Sequence, residues 1–194
     1  MHAAENLMSD QEPTDRERAE ASKKNLQKAD FSGADLSGAD LRRGNLVEAD
    51  LSGADLTETR LNYANLSKAN LSKAKLDYAN LSEAQLNETN LSEANLKETD
   101  LSHAILNQAD LTSTKMDGAN LSGADLRNSI NLSCQQIESA VIDKKTRFPN
   151  YLQITWTYVG AHGANFHCKV RAPEQPEGKK KKVNFHDSKL YQQG

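Results

Sequence analysis

A leucine returns at every fifth position through the middle of the sequence, and this period constrains the fold more than any other feature. Residues 24–128 divide without a gap into 21 pentapeptides, whose central residues run from Leu26 to Leu126. Leucine occupies 19 of the 21 centres, and the exceptions are Phe31 and Met116. Two positions before the centre, 15 repeats have alanine and four have threonine. The middle of the chain is therefore a tandem array of one short unit.

A period of five residues suits neither an α-helix nor a β-strand. On a helix, a step of five residues turns by about 140°, so the leucines would spread around every side. On a strand, an odd step sends successive leucines to opposite faces. A chain that turns a corner every five residues buries them together, because four pentapeptides then close a square coil of about 20 residues.

Each side of such a coil sends one large and one small apolar residue inward. Stacked coils hydrogen-bond through their backbones at about 4.8 Å, so the sequence predicts a rod of about five coils and about 25 Å. The central residues form ladders along the core of this rod. Those selected as representative core residues are Phe31, Leu36, Leu56, Leu76, Leu96 and Met116.

The repeats resemble those of a known family. Units such as ADLSG, ANLSK and ANLSE are similar to the A(D/N)LXX signature of pentapeptide repeat proteins, and the match extends over residues 25–128. The resemblance implies an all-β solenoid, specifically a right-handed quadrilateral β-helix. The handedness follows from the resemblance and not from the spacing of the leucines. The complete fold is expected to add a short C-terminal capping α-helix and a C-terminal extension.

The sequence divides into five segments. Both ends of a solenoid expose apolar groups and strand edges, so a covering segment is expected on each side of the repeats. In chain order they are a polar N-terminal segment that is either flexible or a short helical cap, a solenoid of about five coils, a capping helix and turn, a β-hairpin, and a flexible basic tail. Their predicted ranges are 1–23, 24–128, 129–149, 150–171 and 172–194.

Two local patterns support the C-terminal assignments. Ser133 and Gln136 have the spacing of a capping box, and an apolar stripe follows at Ile137, Ala140 and Val141. The residues after Pro149 alternate between apolar and polar side chains on two short runs, which is typical of a β-hairpin.

Charge and cysteine content restrict the class of protein. The formal net charge of −3 and the pI near 6.0 do not indicate a strongly basic nucleic-acid binder. The N-terminal residues lack the apolar core of a signal peptide, and no stretch is long enough to cross a bilayer, so no membrane insertion is predicted. Cys134 and Cys168 are too few for a disulfide framework, so we expect reduced thiols and a cytoplasmic protein.

The sequence contains no motif that indicates catalysis. A phosphate-binding loop, a dinucleotide fingerprint and a paired-cysteine metal motif are all missing. His162, His167, Cys168 and His186 are zinc-ligand types, but their spacing matches no recognised site. We therefore expect no catalytic residue, no cofactor and no metal, and an enzyme is not predicted.

Candidate interaction residues must then lie on the outer faces of the rod or beyond it. Repeats that are four units apart share a face, and the flattest face carries a row of aspartates. The other candidates are a mixed polar cluster near the N-terminal end, an aromatic stripe on the predicted hairpin, which packing on the cap also explains, and a lysine run in the tail. In that order the residues are Asp30, Asp50 and Asp110; Arg42, Arg43, Arg60 and Tyr63; Trp156 and Tyr158; and Lys179, Lys180, Lys181 and Lys182.

The leading functional interpretation is a non-enzymatic scaffold that binds another protein through a solenoid face or the hairpin. The resemblance implies an alternative, because some family members mimic B-DNA and bind type II topoisomerases such as gyrase. Residues 24–128 hold 16 acidic and 11 basic side chains, a net charge of −5, whereas B-DNA of about 25 Å carries roughly 15 phosphate charges, which disfavours mimicry. A further alternative is binding of nucleic acid or an anionic surface by the lysine run. The sequence leaves open a monomer or a homodimer formed through the C-terminal region.

Overall fold

The computed structural model describes residues 12–158 and 164–171. Two short helices and one hairpin flank the repeat array. Helix α1 is Asp15–Ser22, and the 3-10 turn Lys23–Asn25 follows it directly. After the array come helix α2 (Cys134–Ser139) and the strands β1 (Leu152–Tyr158) and β2 (Ala164–Val170).

The repeats form stacked coils with a period of 20 residues. Parallel β-bridges join each residue that precedes a centre to the residue 20 positions later, as between Asp50 and Asn70. The hydrogen bonds alternate in direction: Leu51 N donates to Asn70 O at 2.7 Å, and Asn70 N donates to Ala49 O at 2.9 Å. Four pentapeptides therefore make one coil, as the spacing of the leucines predicts.

Each pentapeptide ends in a tight turn that creates a corner of the coil. In the repeat centred on Leu51, Ala54 N donates to Leu51 O at 3.1 Å, and Gly53 has a φ of +66°. A positive φ at the third residue of a hydrogen-bonded turn is the geometry of a type II turn. The same position has a positive φ in all 21 repeats, although glycine occupies it in only five. The stacked hydrogen bonds of the coil thus hold lysine, glutamate and tyrosine in a conformation that glycine usually takes.

The core consists of the repeat centres and the small residues that precede them by two. The centres predicted for the core are at most 6% exposed, and the most exposed of them, Phe31, lies in the first coil. Threonine at the small position adds a hydrogen bond, since its hydroxyl donates to the carbonyl oxygen of a centre in the preceding coil. The four pairs are Thr59 with Leu36, Thr89 with Leu66, Thr99 with Leu76 and Thr114 with Leu91, at 2.6–2.9 Å.

Helix α1 lies over the first coil. Thr14 and Glu17 form a capping box that begins the helix, and Ala19 is fully buried. Arg16 donates to Ser37 O and Gly38 O at 3.2 and 3.1 Å, so its guanidinium satisfies carbonyl groups that have no preceding coil to pair with.

Helix α2 is shorter than its apolar stripe predicts. The capping box of Ser133 and Gln136 is present, but the helix ends at Ser139 and Ala140 is extended. Val141, predicted to be helical, instead forms a parallel bridge with Asn120 and is 54% exposed. The physical reason is the open edge of the last coil: Val141 accepts from Leu121 N at 2.7 Å and donates to Ala119 O at 2.8 Å, bonds that a longer helix would forgo.

The expectation of reduced thiols is wrong. Cys134 of α2 and Cys168 of β2 form a disulfide, with the Cα atoms 5.4 Å apart and 34 positions apart in sequence. Docking of the hairpin on α2 brings the two sulfur atoms together. The cysteines therefore give no support to a reducing compartment.

No helix in the described ranges is long and apolar enough to cross a membrane.

Candidate functional site

The row of aspartates predicted from the repeat lies on one side of the rod, here called the aspartate face. Its members form a continuous ladder of parallel bridges. From the first coil onward they are Asp30, Asp50, Asn70, Asn90 and Asp110. The turn position next to them carries serine in four coils and threonine in the fifth, so the side chains that flank the row are small. The structure therefore brings together the three aspartates that the sequence selected, with two asparagines between them.

Each side chain of this row is held by the backbone that follows it. Asp50 Oδ1 accepts from Ser52 N at 2.9 Å, and Asn70 Oδ1 accepts from Ser72 N at 3.2 Å. Asn70 Nδ2 also donates to Asp50 Oδ1 at 3.1 Å, across neighbouring coils. Such Asx-type hydrogen bonds fix the rotamers of the row before any ligand arrives.

Hydrogen bonds of this kind favour the ionised form of Asp30 and Asp110. The backbone N–H of Ser32 lowers the pKa of Asp30 below its ordinary value. Burial raises the pKa of Asp110, but hydrogen bonds from Thr112 and Asn131 outweigh burial, so this pKa is lowered as well. A lowered pKa suits a fixed negative charge and not a general acid or base working near neutral pH.

Four lysines of the rod pair with carboxylates of a neighbouring coil, and one of these pairs lies on the aspartate face. The distance from Lys Nζ to the carboxylate oxygen is 3.2–4.0 Å, and each pair spans 20 residues. The pairs are Lys28 with Glu48, Lys68 with Glu88, Lys73 with Glu93, and Lys75 with Asp55. Exposed pairs of this kind add little stability, but they neutralise four of the 16 acidic side chains of the repeat array.

The mixed polar cluster predicted near the N-terminal end exists, and its members have different partners. Arg42 binds Asp40 with two nitrogens at 2.9 and 2.7 Å, and this pair lowers the pKa of Asp40. The guanidinium of Arg43 lies 5.7 Å from the centre of the Tyr63 ring, a cation–π contact. The Tyr63 hydroxyl donates to Glu83 at 2.9 Å, which raises its pKa, so the phenol stays protonated.

The sequence did not reveal that two lysines join this cluster. The 3-10 turn places Lys23 and Lys24 beside Arg42 and Arg43, and together with Asn62 and Tyr63 they line an open groove of about 450 Å³, here called the N-terminal groove. Arg60 precedes Asn62 by two residues on the same side. Lys23 precedes the first repeat and Lys24 is the first residue of it, and this position was the only signal that the sequence offered.

One face of the hairpin packs on the core, and Trp156 contacts a residue of that face. Trp156 and Phe166 pack at 5.6 Å between ring centres, and Trp156 is only partly exposed. Ile154 and Phe166 pack against the hydrophobic core, while Leu152 belongs to it. The packing explanation therefore accounts for Trp156 better than an exposed anchor does. The side chain of Tyr158 and the residues Lys179, Lys180, Lys181 and Lys182 lie outside the described part of the structure.

Within residues 12–158 and 164–171, no group of three or more His, Cys, Asp or Glu side chains could hold a metal ion. Cys168, one of the zinc-ligand types in the sequence, is in the disulfide.

Comparison with known proteins places these features in a family. The model for pentapeptide repeats matches the chain in eight copies, over residues 25–62, 54–93, 64–102 and 94–130. These matches extend from residue 25 to residue 130, which is more than half of the chain. No curated protein sequence matches the chain significantly.

Two similar solved structures come from cyanobacteria. HetL from Nostoc sp. strain PCC 7120, a pentapeptide repeat protein involved in heterocyst differentiation regulation, is 37% identical with a TM-score of 0.50, and the match covers 57% of this chain and 51% of HetL. Rfr23 from Cyanothece 51142 is 28% identical with a TM-score of 0.54, covering 59% and 90% of the two chains. The chain thus spans about half the length of HetL.

The fluoroquinolone resistance protein QnrB1 also matches, at 23% identity over 59% of this chain and 78% of QnrB1, but its TM-score of 0.35 is too low to support an inference. The family match and the cyanobacterial structures agree with the coils described above. The fold is a right-handed quadrilateral β-helix, and the chain belongs to the pentapeptide repeat family.

Proposed function

We propose that the protein is a non-enzymatic scaffold that binds another protein through the aspartate face. The observation that carries this proposal is the fixed arrangement of polar side chains on that face. The side-chain oxygens of Asp30, Asp50, Asn70, Asn90 and Asp110 all accept a backbone N–H two residues later, at 2.9–3.2 Å. A surface whose rotamers are already fixed loses less conformational entropy when a partner binds.

The small side chains beside the row also suit a protein partner. Serine side chains flank the row at Ser52, Ser72 and Ser92, so a partner can approach the backbone ladder closely. The two amides and three carboxylates of the row present both donors and acceptors at the coil spacing of about 4.8 Å. A partner strand or a row of polar side chains with the same spacing would find matching hydrogen-bonding groups.

The charge of the face does not favour DNA mimicry. Its acidic residues are Asp30, Asp50, Asp110 and Glu93, and Lys73 opposes them, which leaves a net charge of −3 along the rod. B-DNA carries one charge per about 1.7 Å, or roughly 15 over the length of the rod, so a topoisomerase groove shaped for duplex DNA would meet about a fifth of that charge on this face. Partner selection by hydrogen bonding and shape is the better-supported mechanism.

Substitutions that project a large side chain from one face test the proposal. Ser52→Arg with Ser72→Arg alters the aspartate face, and Ser82→Arg with Ser102→Arg is the matched control two corners away, on the opposite side of the coil. Arginine fits this position of the repeat, because Arg42 occupies it naturally. The measurement is quantitative affinity capture with cross-linking from host lysate, followed by mass spectrometry.

We expect the aspartate-face pair to abolish capture of a specific partner that the control pair retains. Both variants should melt at the temperature of the parent protein, since the altered side chains lie outside the core. Retention of every captured protein by both variants, or equal loss from both, would show that this face is not the binding surface.

A further inference from the structure

The basic side chains of the solenoid fall into two groups that differ in their partners. Of the 11 in residues 24–128, six form an ion pair with a carboxylate. Five others have no carboxylate partner in the described ranges, and three of these lie at the N-terminal groove or beside it. The five are Lys24, Arg43, Arg60, Lys97 and Lys115.

The N-terminal groove exists because the 3-10 turn approaches the first coil closely. Lys23 O accepts from Asn45 N at 2.8 Å, so the turn continues the hydrogen-bonding pattern of the coils. Gly44 permits this approach, since a Cβ atom there would lie 2.8 Å from Leu41 O and 3.2 Å from Lys23 O. A glycine in place of the usual alanine thus allows the turn to bring two lysines next to two arginines.

The groove has a positive charge that the protein itself does not neutralise. Asp40 is shared by Arg42, at 2.7 Å, and by Lys23, at 3.5 Å. Glu83 adds a second carboxylate at the groove, where it accepts from the Tyr63 hydroxyl at 2.9 Å. Against these two carboxylates the lining places Lys23, Lys24, Arg42 and Arg43, which leaves a net charge of +2. This excess lies on a solenoid in which acidic residues outnumber basic ones.

The size and the remaining lining residues indicate a small ligand. A volume of about 450 Å³ lies within the range of about 300–1,000 Å³ that is usual for small-molecule sites. Guanidinium groups donate two parallel hydrogen bonds to phosphoryl oxygens, and lysine adds a point charge. The Tyr63 ring, whose residue is 48% exposed, and the Asn62 amide offer contacts to an uncharged, planar part of the same ligand.

We propose that the N-terminal groove binds a small organic phosphate with two or more negative charges, of the nucleoside polyphosphate class. Lys24 and Arg43 contact the phosphoryl oxygens, and Tyr63 and Asn62 contact the organic part. Arg60 adds positive charge at the edge. This site is independent of the aspartate face, so it stands or fails separately from the scaffold proposal.

Isothermal titration of the full chain with ATP and with pyrophosphate tests the site. The informative variant is Lys24→Gln with Arg43→Gln. Its matched control is Lys97→Gln with Lys115→Gln, which removes the same charge from two other unpaired positions. We expect one ATP per chain, affinity at least about tenfold weaker in the first variant because two charge-assisted contacts are lost, and a change below about twofold in the control.

Backbone and side-chain amide NMR of the unaltered chain locates the bound ligand without any substitution. Titration with ATP should shift the signals of Gly44, Asn62 and Tyr63, and pyrophosphate should bind more weakly because it lacks the organic part. Any one of four results would overturn the proposal. They are equal weakening of ATP affinity in both variants, absence of saturable ATP binding, signal shifts confined to residues outside the groove, and binding only to long polyanions such as duplex DNA.

Discussion

The repeat array and the C-terminal region differ in how many independent contacts hold each of them in place. Every interior coil is hydrogen-bonded to a coil above and a coil below, and the leucine centres between them are buried. In the described ranges, β1 and β2 pair only with each other. One disulfide and a small apolar face attach this hairpin to α2 and the core. Just before β1, the Tyr151 hydroxyl accepts from Leu132 N at 2.9 Å and donates to Ser129 O at 3.2 Å.

This difference shows how a protein with little aromatic content can have one rigid part and another part whose position depends on a single bond. In the array the same contact is repeated, so its loss at one surface position leaves many equivalent contacts. In the C-terminal region a single covalent bond closes a separation of 34 residues. The array should therefore fail only when its core is disrupted, whereas the hairpin should detach when one bond is cut.

The largest expected effect is in the core of the array. Leu76→Asp places an unpaired carboxylate where the side chain is fully buried, and we expect a loss of at least about 4 kcal/mol in the free energy of unfolding. Ser72→Asp, on the outside of the same coil, should change it by less than about 0.5 kcal/mol. Thermal and urea melts followed by far-UV circular dichroism measure both. Similar midpoints for the two variants would refute the inward placement of the repeat centres.

The next largest effect should separate the two regions. Replacing both cysteines by serine, or reducing the disulfide, removes a cross-link that is worth about 3–4 kcal/mol for a loop of this length. We expect the hairpin to loosen, and Trp156, the only tryptophan, to report this by fluorescence quenching. The far-UV melt of the array should stay unchanged.

A parallel decrease of both transitions on reduction would contradict this separation, since it would mean that the hairpin helps to hold the coils. Cys134→Ser alone serves as a control. It removes the disulfide and leaves the Cys168 thiol free, so reaction of Cys168 with a thiol-specific reagent measures how accessible the hairpin has become.

The sequence was sufficient to predict the coils of the array because the same pentapeptide pattern is repeated 21 times. The turn conformation was not predictable in the same way. Positive φ values fall on residues such as Lys73, Tyr78 and Glu83, whose types give no indication of a left-handed conformation. The stacked hydrogen bonds impose that conformation, and they exist only after the coil has closed.

The parts of the site that the sequence did not reveal depend on contacts between segments that follow no period. The disulfide requires the hairpin to dock on α2, and the N-terminal groove requires the 3-10 turn to pass over Gly44. The end of α2 was mispredicted because an apolar stripe carries no information about an open strand edge nearby. The rows of Asp30, Asp50 and Asp110, by contrast, followed directly from the period of 20.

A smaller effect should come from the buried threonines. Thr99→Val removes the hydroxyl that donates to Leu76 O at 2.6 Å but keeps the volume, and we expect a loss of about 1 kcal/mol in the free energy of unfolding. The cost is moderate because Leu76 O still accepts from Ala79 N at 3.0 Å. Thr99→Ser, which keeps the hydroxyl, is the control. Equal urea midpoints for Thr99→Val and the parent protein would show that the hydroxyl contributes nothing.

The smallest expected effect lies at the junction of the two regions, where Asp125 of the last repeat bridges to Arg147 of the cap. Arg127 hydrogen-bonds to Asp125 and lowers its pKa, partial burial opposes this shift, and Arg147 adds attraction at 3.6 Å. Because the folded pKa lies below the ordinary value of 3.8, the pair stabilises the folded state above about pH 4, and this stability disappears as the pH falls through the folded pKa. We expect Asp125→Asn to cost up to about 1 kcal/mol at pH 6, and the difference from the parent protein to shrink towards pH 2. Urea melts at both pH values measure it. A difference that is constant with pH would mean that hydrogen bonds other than those to the carboxylate hold the cap to the last coil.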